Sequence, residues 1–250
     1  MHVYDTLIIG CGYAPIGYAL ANKNVIIIEE HQTCDTAFYM PLSCYNYIPY
    51  TPKSQYGLQL KNIFDQLKLF SNSQQNVNGF ECALCKFIVD NPIDILLKCR
   101  VVSVSFLKDG VFDVSIYTNQ GITHIFAKNI INTVQKTINK VMTVLFTSND
   151  IDKDSALLRS VFKTVAIEPA FYDGRYALRI NVNDYEENSA KLFIYNNWRK
   201  LDTQAKIVYI APTFLREKSN VSLNDANYDN PICALDAGYF YAKGGHNDTI

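Results

Sequence analysis

The chain has 250 residues, 48% of them hydrophobic, enough for one large α/β domain or for a domain with a smaller insert, each with a sizeable core. Its 23 basic residues are balanced by 24 acidic ones without a long run of either sign, so neither nucleic acid nor an anionic membrane surface is indicated and an ordinary soluble surface is expected. Seven cysteines, Cys11, Cys34, Cys44, Cys82, Cys85, Cys99 and Cys233, are an odd number scattered through apolar contexts, the pattern of reduced thiols in a cytoplasmic protein rather than of a disulfide framework.

At the start, Met1-His2-Val3-Tyr4-Asp5 puts no basic region ahead of the apolar segment, and that segment is broken by Gly10, Gly12, Pro15 and Gly17, so neither a signal peptide nor a membrane span is expected. Residues 4–30 read YDTLIIGCGYAPIGYALANKNVIIIEE. A buried strand (residues 6–9), a glycine turn (Gly10-Cys11-Gly12), a short helix (about 14–22), a second buried strand (25–28) and an acidic end (Glu29, Glu30) make a βαβ unit. Gly10 allows the sharp turn, and Gly12 lets backbone approach a pyrophosphate. The phosphate charge would meet free N–H groups and the positive dipole end of the helix, where Tyr13, Ala14 and Pro15 form the first turn. Glu29, after Ile28, ends the second strand, where a carboxylate accepts hydrogen bonds from both hydroxyls of an adenosine ribose. A dinucleotide is the implied ligand; a plain crossover whose glycines only turn the chain is the alternative.

Pro15 stands where GxGxxG has its third glycine. Proline is tolerated in the first helical turn, but its ring fills room that glycine leaves for helix–strand packing, and Gly17 and Ala19 are the small residues left to restore closeness.

Residues 31–54 form a long connection rich in proline and aromatic residues, with two readings for Phe38, Tyr39, Tyr45, Tyr47 and Tyr50: they wall a cofactor site, or they cover the sheet edge. Helical spacing follows over residues 55–70 and 79–89, separated by a polar loop at 71–78. Cys82 and Cys85 form a CxxC inside the second helix. No further CxxC or histidine pair accompanies it, so core packing is expected and a metal site is not.

From Ile93 the pattern changes to period two: strands at 94–97, 100–106, 111–117 and 122–126, with turns at Asp109-Gly110 and Asn119-Gln120-Gly121, and then another buried strand at 129–133. This order, helix, ILLKCRVVSV, three-stranded meander and FAKNIINT, resembles the flavoprotein oxidoreductases of the glutathione-reductase-like superfamily, and within it the FAD-dependent oxidoreductases. In that family the segment matching FAKNIINT reads like AKxVIxATG; here Asn132-Thr133 stands near the Ala-Thr and Val134-Gln135 replaces the glycine. The resemblance implies a Rossmann-like FAD-binding domain of α/β class, a parallel sheet plus a three-stranded antiparallel meander, with a smaller sheet-rich inserted domain. It further implies FAD as cofactor, Val101 beside the adenine and Thr133 at the family's turn.

Beyond Thr133 the expected elements are a strand at 141–146, a helix at 154–162 and a hairpin of residues 176–182 with 191–195; residues 135–203 are the candidate substrate domain, with Leu192, Ile194, Tyr195 and Trp198 as its packed face rather than a ligand site. KIVYIA, residues 206–211, reads as a strand returning to the first domain, giving parts 1–134, 135–203 and 204–250. Asn230-Pro231 starts a final helix. By the resemblance that helix faces the flavin and Asp236 is an acidic contact near the ribityl chain; as a bare helical position Asp236 is solvated.

No side chain announces itself as acid or base, and the catalytic residues are left unassigned. His31 alone among His2, His31, His124 and His246 is near the cofactor path, and Cys34 and Cys44 share the connecting loop. The leading expectation is an FAD-binding oxidoreductase acting on a small organic substrate. A non-catalytic flavoprotein-like subunit or partner-binding domain, and an NAD-dependent Rossmann enzyme, are the alternatives; the assembly state is open.

Overall fold

A strand that ends in glycine at positive φ leaves the sheet abruptly. The computed structural model describes residues 2–43, 48–71, 74–107, 109–134 and 137–244. Strand β1 (Val3–Ile9) runs into Gly10 at φ +98°, helix α1 (Tyr13–Ala21) follows, and strand β2 (Val25–Glu29) pairs parallel to β1 with Thr6 opposite Val25 and Ile9 opposite Ile28. Helix α2 (Gln55–Gln66) is capped by Ser54, whose side chain accepts the N–H of Gly57. The expected loop at 71–78 contains a two-stranded ladder, β3 (Phe70–Ser71) with β4 (Gln74–Gln75), and one 3₁₀ turn before helix α3 (Phe80–Asp90). Phe64 of α2 and Phe80 of α3 stack with ring centres 5.0 Å apart.

Strands β5 (Asp94–Leu97), β6 (Arg100–Phe106), β7 (Phe112–Thr118) and β8 (Gly121–Asn132) complete a six-stranded sheet in the order β5-β2-β1-β8-β7-β6. The meander and the strand after it are not separate: β8 pairs antiparallel with β7 through its first part and parallel with β1 through its second, and Ala127 faces both Phe112 and Tyr4. No glycine or proline lies between Ile122 and Asn132, so nothing interrupts the strand. The meander folds over one face of the parallel strands, burying Leu7, Ile26 and Ile28 against Val114, Ile116, Ile125 and Ala127.

A second, four-stranded antiparallel sheet has the order β10-β11-β9-β12, formed by β9 (Val141–Thr147), β10 (Thr164–Pro169), β11 (Arg175–Asn181) and β12 (Lys206–Ile210), with helices α4 (Ile151–Val161) and α5 (Glu187–Trp198) in its connections. Three expectations are corrected here. Residues 191–195 are helix, not the second arm of a hairpin; β11 pairs instead with β10 and β9. Within α5, Ala190, Ile194 and Trp198 recur every four residues and are buried, while Leu192 and Tyr195 are 61% and 50% exposed, so the expected packed face is half right. KIVYI does not return to the first sheet: β12 pairs antiparallel with β9.

Helix α6 (Pro231–Ala242) starts as expected, Asn230 capping it by accepting the N–H groups of Ile232 and Cys233. It packs on α1 with the two backbones nearly touching. A Cβ on Gly17 would lie 2.0 Å from the carbonyl oxygen of Leu235, and one on Gly238 would lie 1.9 Å from that of Ala14. Gly17 therefore serves the α1–α6 contact rather than the strand beneath. Among the described residues, no helix is long and apolar enough to cross a membrane.

Candidate functional site

Helix α1 begins at the glycine turn with no side-chain cap of its own. Its free donors are met from far along the chain: the N–H of Tyr13 donates to Oδ2 of Asp225 at 2.6 Å, and the N–H of Ala14 to Oδ1 at 2.7 Å. A Cβ on Gly12 would sit 2.3 Å from that carboxylate, so the glycine is what admits an anion here. Asp225 opens a single 3₁₀ turn set by Asn224, whose side chain accepts the N–H of Ala226. Burial raises the Asp225 carboxyl to about 7, with the two N–H groups and Arg216 pulling the other way. The phenol of Tyr13 is directed away from the turn, donating to the Asp35 carboxylate (3.1 Å) and the carbonyl of Phe80 (3.2 Å). Pro15 is buried in the first turn without disturbing the helix, since its missing N–H is one that needs no partner there.

The end of β2 is tied to the same turn. Glu29 is 2% exposed; its Oε2 accepts the N–H of Cys11 at 2.8 Å, and its Oε1 accepts the N–H of His31 at 2.9 Å and lies 2.6 Å from Nδ1 of the same histidine. Burial acts to raise this carboxyl, but the His31 ring and the two N–H groups outweigh it and hold it below the ordinary glutamate range. Glu29 in turn raises His31. Glu30 points outward, 3.7 Å from Arg100 Nε, and Ile28 is buried in the sheet.

The N–H groups of Lys98 and Cys99 donate to the carbonyls of His31 and Glu29, which brings the start of β6, and half-buried Val101 two residues on, to the end of β2. Thr133 closes the turn from the other side: its N–H and hydroxyl both donate to the carbonyl of Ile9, and a Cβ on Gly10 would stand 2.4 Å from its Oγ1. Gly10, Gly12, Tyr13, Ala14, Glu29 and Thr133 thus share one neighbourhood.

Asp236 does not join them. It is fully buried, which overturns the solvated reading, and its oxygens accept from Tyr50 Oη (3.1 Å), the N–H groups of Lys53 and Ser54 (2.6 and 3.3 Å) and the Ser54 hydroxyl. Its work is to anchor the start of α2 on α6. Cys82 and Cys85 are exposed on α3, so they are not core-packing thiols; among the described residues no group of three His, Cys, Asp or Glu is placed to hold a metal ion. Phe38 of the connecting loop is core, its ring centre 5.6 Å from that of Tyr13. Cys44, Tyr45, Tyr47, Gln135 and His246 lie outside the described residues.

A cavity of about 300 Å³ opens beside the glycine turn. The connecting loop contributes Phe38 and Ser43, the second sheet Glu168 and Arg179, and the segment after β12 Arg216 and Asp225. Arg179 Nη2 lies 3.1 Å from Glu168 Oε2. The segment after β12 is what a reading of the sequence misses: nothing in local spacing marks Asp225, whose partner Tyr13 is 212 positions away.

No protein-family model and no curated protein matches the chain. Solved structures do. A geranylgeranyl bacteriochlorophyll reductase-like protein from Thermoplasma acidophilum matches with a TM-score of 0.52 at 14% identity, over 97% of this chain and 78% of that one. BexE, studied for oxidation during BE-7585A biosynthesis, matches at 0.50 and 10%, over 83% of this chain and 52% of that one. Aklavinone-11 hydroxylase in complex with FAD and aklavinone matches at 0.47 and 12%, over 84% and 53%. The likeness is one of fold. The match to the Thermoplasma acidophilum protein supports the mixed α/β architecture seen here, a parallel sheet with additional antiparallel strands; the chain spans about half the length of the other two neighbours.

Proposed function

We propose that the chain binds FAD at the glycine turn and acts as a flavin-dependent oxidoreductase on a small organic substrate. The observation that carries this reading is the anion seat at α1: two backbone N–H groups, a glycine whose missing Cβ makes the room, and an anion held there by both donors. The residues present fit the diphosphate of a dinucleotide in donor chemistry, and Glu29 stands at the end of β2 where a ribose is recognised. The meander folded over the parallel sheet supports membership of the glutathione-reductase-like superfamily, and the match to a reductase-like protein supports redox chemistry.

In this reading residues 1–134 are the nucleotide-binding part and the second sheet is the cap, its last strand β12 carrying the cap past residue 203, with the rest of the chain returning to α1. When bound, the isoalloxazine supplies the redox step. The chain's own residues bind and orient: α1 and Glu29 hold the dinucleotide, while Glu168 and Arg179 of the cap line the cavity and offer charged groups to a substrate there. A cytoplasmic setting is proposed from the thiol content.

The absorption spectrum of the purified protein, before and after addition of FAD, tests this. Flavin bands that stay with the protein on gel filtration, and are lost in Gly12→Val, are expected. A protein that remains colourless after FAD is added overturns the reading.

A further inference from the structure

The face that the second sheet turns toward the first core carries polar atoms that the fold leaves unmet. Arg179 of β11 stands opposite Thr143 of β9, and two residues back Ala177 stands opposite Glu168 of β10, so Thr143, Glu168 and Arg179 share one face with Ala177, which is buried in the first core. Thr143 Oγ1, Glu168 Oε2 and Arg179 Nε are buried there, and among the described residues none of the three has a hydrogen-bond partner. Arg179 Nη2 lies 3.1 Å from Glu168 Oε2, yet that oxygen accepts no hydrogen bond, so charge holds the two together without the aligned fork of a strong pair. Such atoms are costly until a matching group reaches them. Glu168 and Arg179 both line the cavity beside the glycine turn, with 28% and 23% of their side chains open.

Charge decides what the matching group is. A carboxylate brought to Arg179 meets the charge of Glu168, and an ammonium brought to Glu168 meets that of Arg179, so either leaves one charge too many in a place short of water. The cavity's other charged residues, Arg216 against Asp225 and Asp229, supply no surplus of positive charge for an anion. A neutral group that accepts from Arg179 and donates to Glu168 satisfies both. Beside the pair the walls include Phe38, Ile48 and Leu215, and a volume of about 300 Å³ is at the small end of ligand cavities. We infer that the Glu168–Arg179 pair sets substrate specificity by reading a neutral group that both accepts and donates, a carboxamide or a hydroxyl, on a small apolar body. This rests on the reading that the cavity is the substrate site, but not on the cofactor being FAD.

Benzamide, benzyl alcohol, benzoate and benzylamine share one ring and differ in the group that the pair would meet. Ligand-observed NMR titration of the full chain with each, near neutral pH and with or without FAD, tests the inference. At least one neutral probe is expected to bind roughly tenfold or more tighter than either charged one, and which neutral probe leads separates carboxamide from hydroxyl. Glu168→Gln leaves Arg179 unopposed and is expected to raise benzoate roughly tenfold while weakening the leading neutral probe; Arg179→Gln is expected to do the same for benzylamine. An ion pair with only a structural role would not exchange the preferred charge in this way. Where a variant shows no cooperative thermal transition, the order of the four probes on the wild type decides. The inference is overturned if a charged probe binds the wild type as tightly as both neutral ones, if none of the four binds, or if folded Glu168→Gln keeps the wild-type order. Neutral probes preferred by a protein that takes up no FAD would keep this inference and end the flavin reading. FAD taken up by a protein that prefers a charged probe would do the reverse.

Discussion

Asp225 and Asp35 are buried carboxyls held by neutral donors, and that combination sets how stability depends on pH. Asp35 accepts the N–H groups of Phe38 and Tyr39, each at 2.9 Å, and the phenol of Tyr13, yet burial still raises it to about 6; Asp225 is raised to about 7. Both folded values lie above the ordinary 3.8, so between about pH 4 and pH 7 the native state holds more protons than the unfolded chain. Stability from these groups therefore falls as pH rises through that window. Glu29, held below its ordinary value, acts the other way and loses its contribution only in acid. Asp225→Asn removes one titration. Turning an amide NH₂ toward one of the helix N–H groups has a cost of its own, but that cost does not change with pH. Urea unfolding at pH 5 and pH 8 is expected to show the wild type losing stability across the interval and the variant losing about 1–3 kcal/mol less. An unchanged difference would mean that Asp225 ionises at an ordinary value in the fold.

Packing between elements decides which glycines are irreplaceable. Gly238 and Gly17 sit where α1 and α6 cross with no side chain between them, and a methyl group on Gly238 meets a backbone carbonyl, which has no rotamer to move into. Gly238→Ala should therefore cost about 3 kcal/mol or more, although alanine is the better helix former by about 1 kcal/mol. Chemical denaturation measures it, and a neutral or stabilising effect would show that the helices separate easily. The same contact explains what was legible at this scale. Strong periodicity placed α2 and α3, and the Asn-Pro start placed α6, because those signals are local. Residues 192–195, Leu-Phe-Ile-Tyr, are good strand formers, and only the burial of Ala190, Ile194 and Trp198 on the second sheet makes them helix. KIVYI reads as a strand in any context; which sheet it joins depends on β9, about 60 positions earlier, and a single sequence does not carry that pairing. At the site, the glycine turn and Glu29 were readable from one contiguous stretch, whereas Arg216 and Asp225 arrive from a segment with no motif.

The two sheets are joined by more than their connections. Leu145 of β9 and Ala177 of β11 turn away from the second sheet's own core and are buried in the same cluster as Ile8, Ile16 and Phe64, while Met142, Phe146 and Leu178 face α4 and α5. Alternate residues of β9 thus serve two cores, as the period of a strand allows. Loosening one core moves the strand that builds the other, so the molecule should unfold as one cooperative unit. The chain supplies its own reporter: its single tryptophan, Trp198, lies in the second core, with its ring centre 5.6 Å from that of Phe146 and its Nε1 donating to the carbonyl of Ala205. Most of the helix seen by far-UV circular dichroism belongs to the first core. Tryptophan fluorescence and circular dichroism followed during the same urea titration should therefore give one midpoint. A tryptophan transition at lower urea would show the second sheet opening while the first persists. In that case the cavity walled by Glu168 and Arg179 would be governed by a separate equilibrium, and ADP bound at α1 would raise one midpoint and not the other.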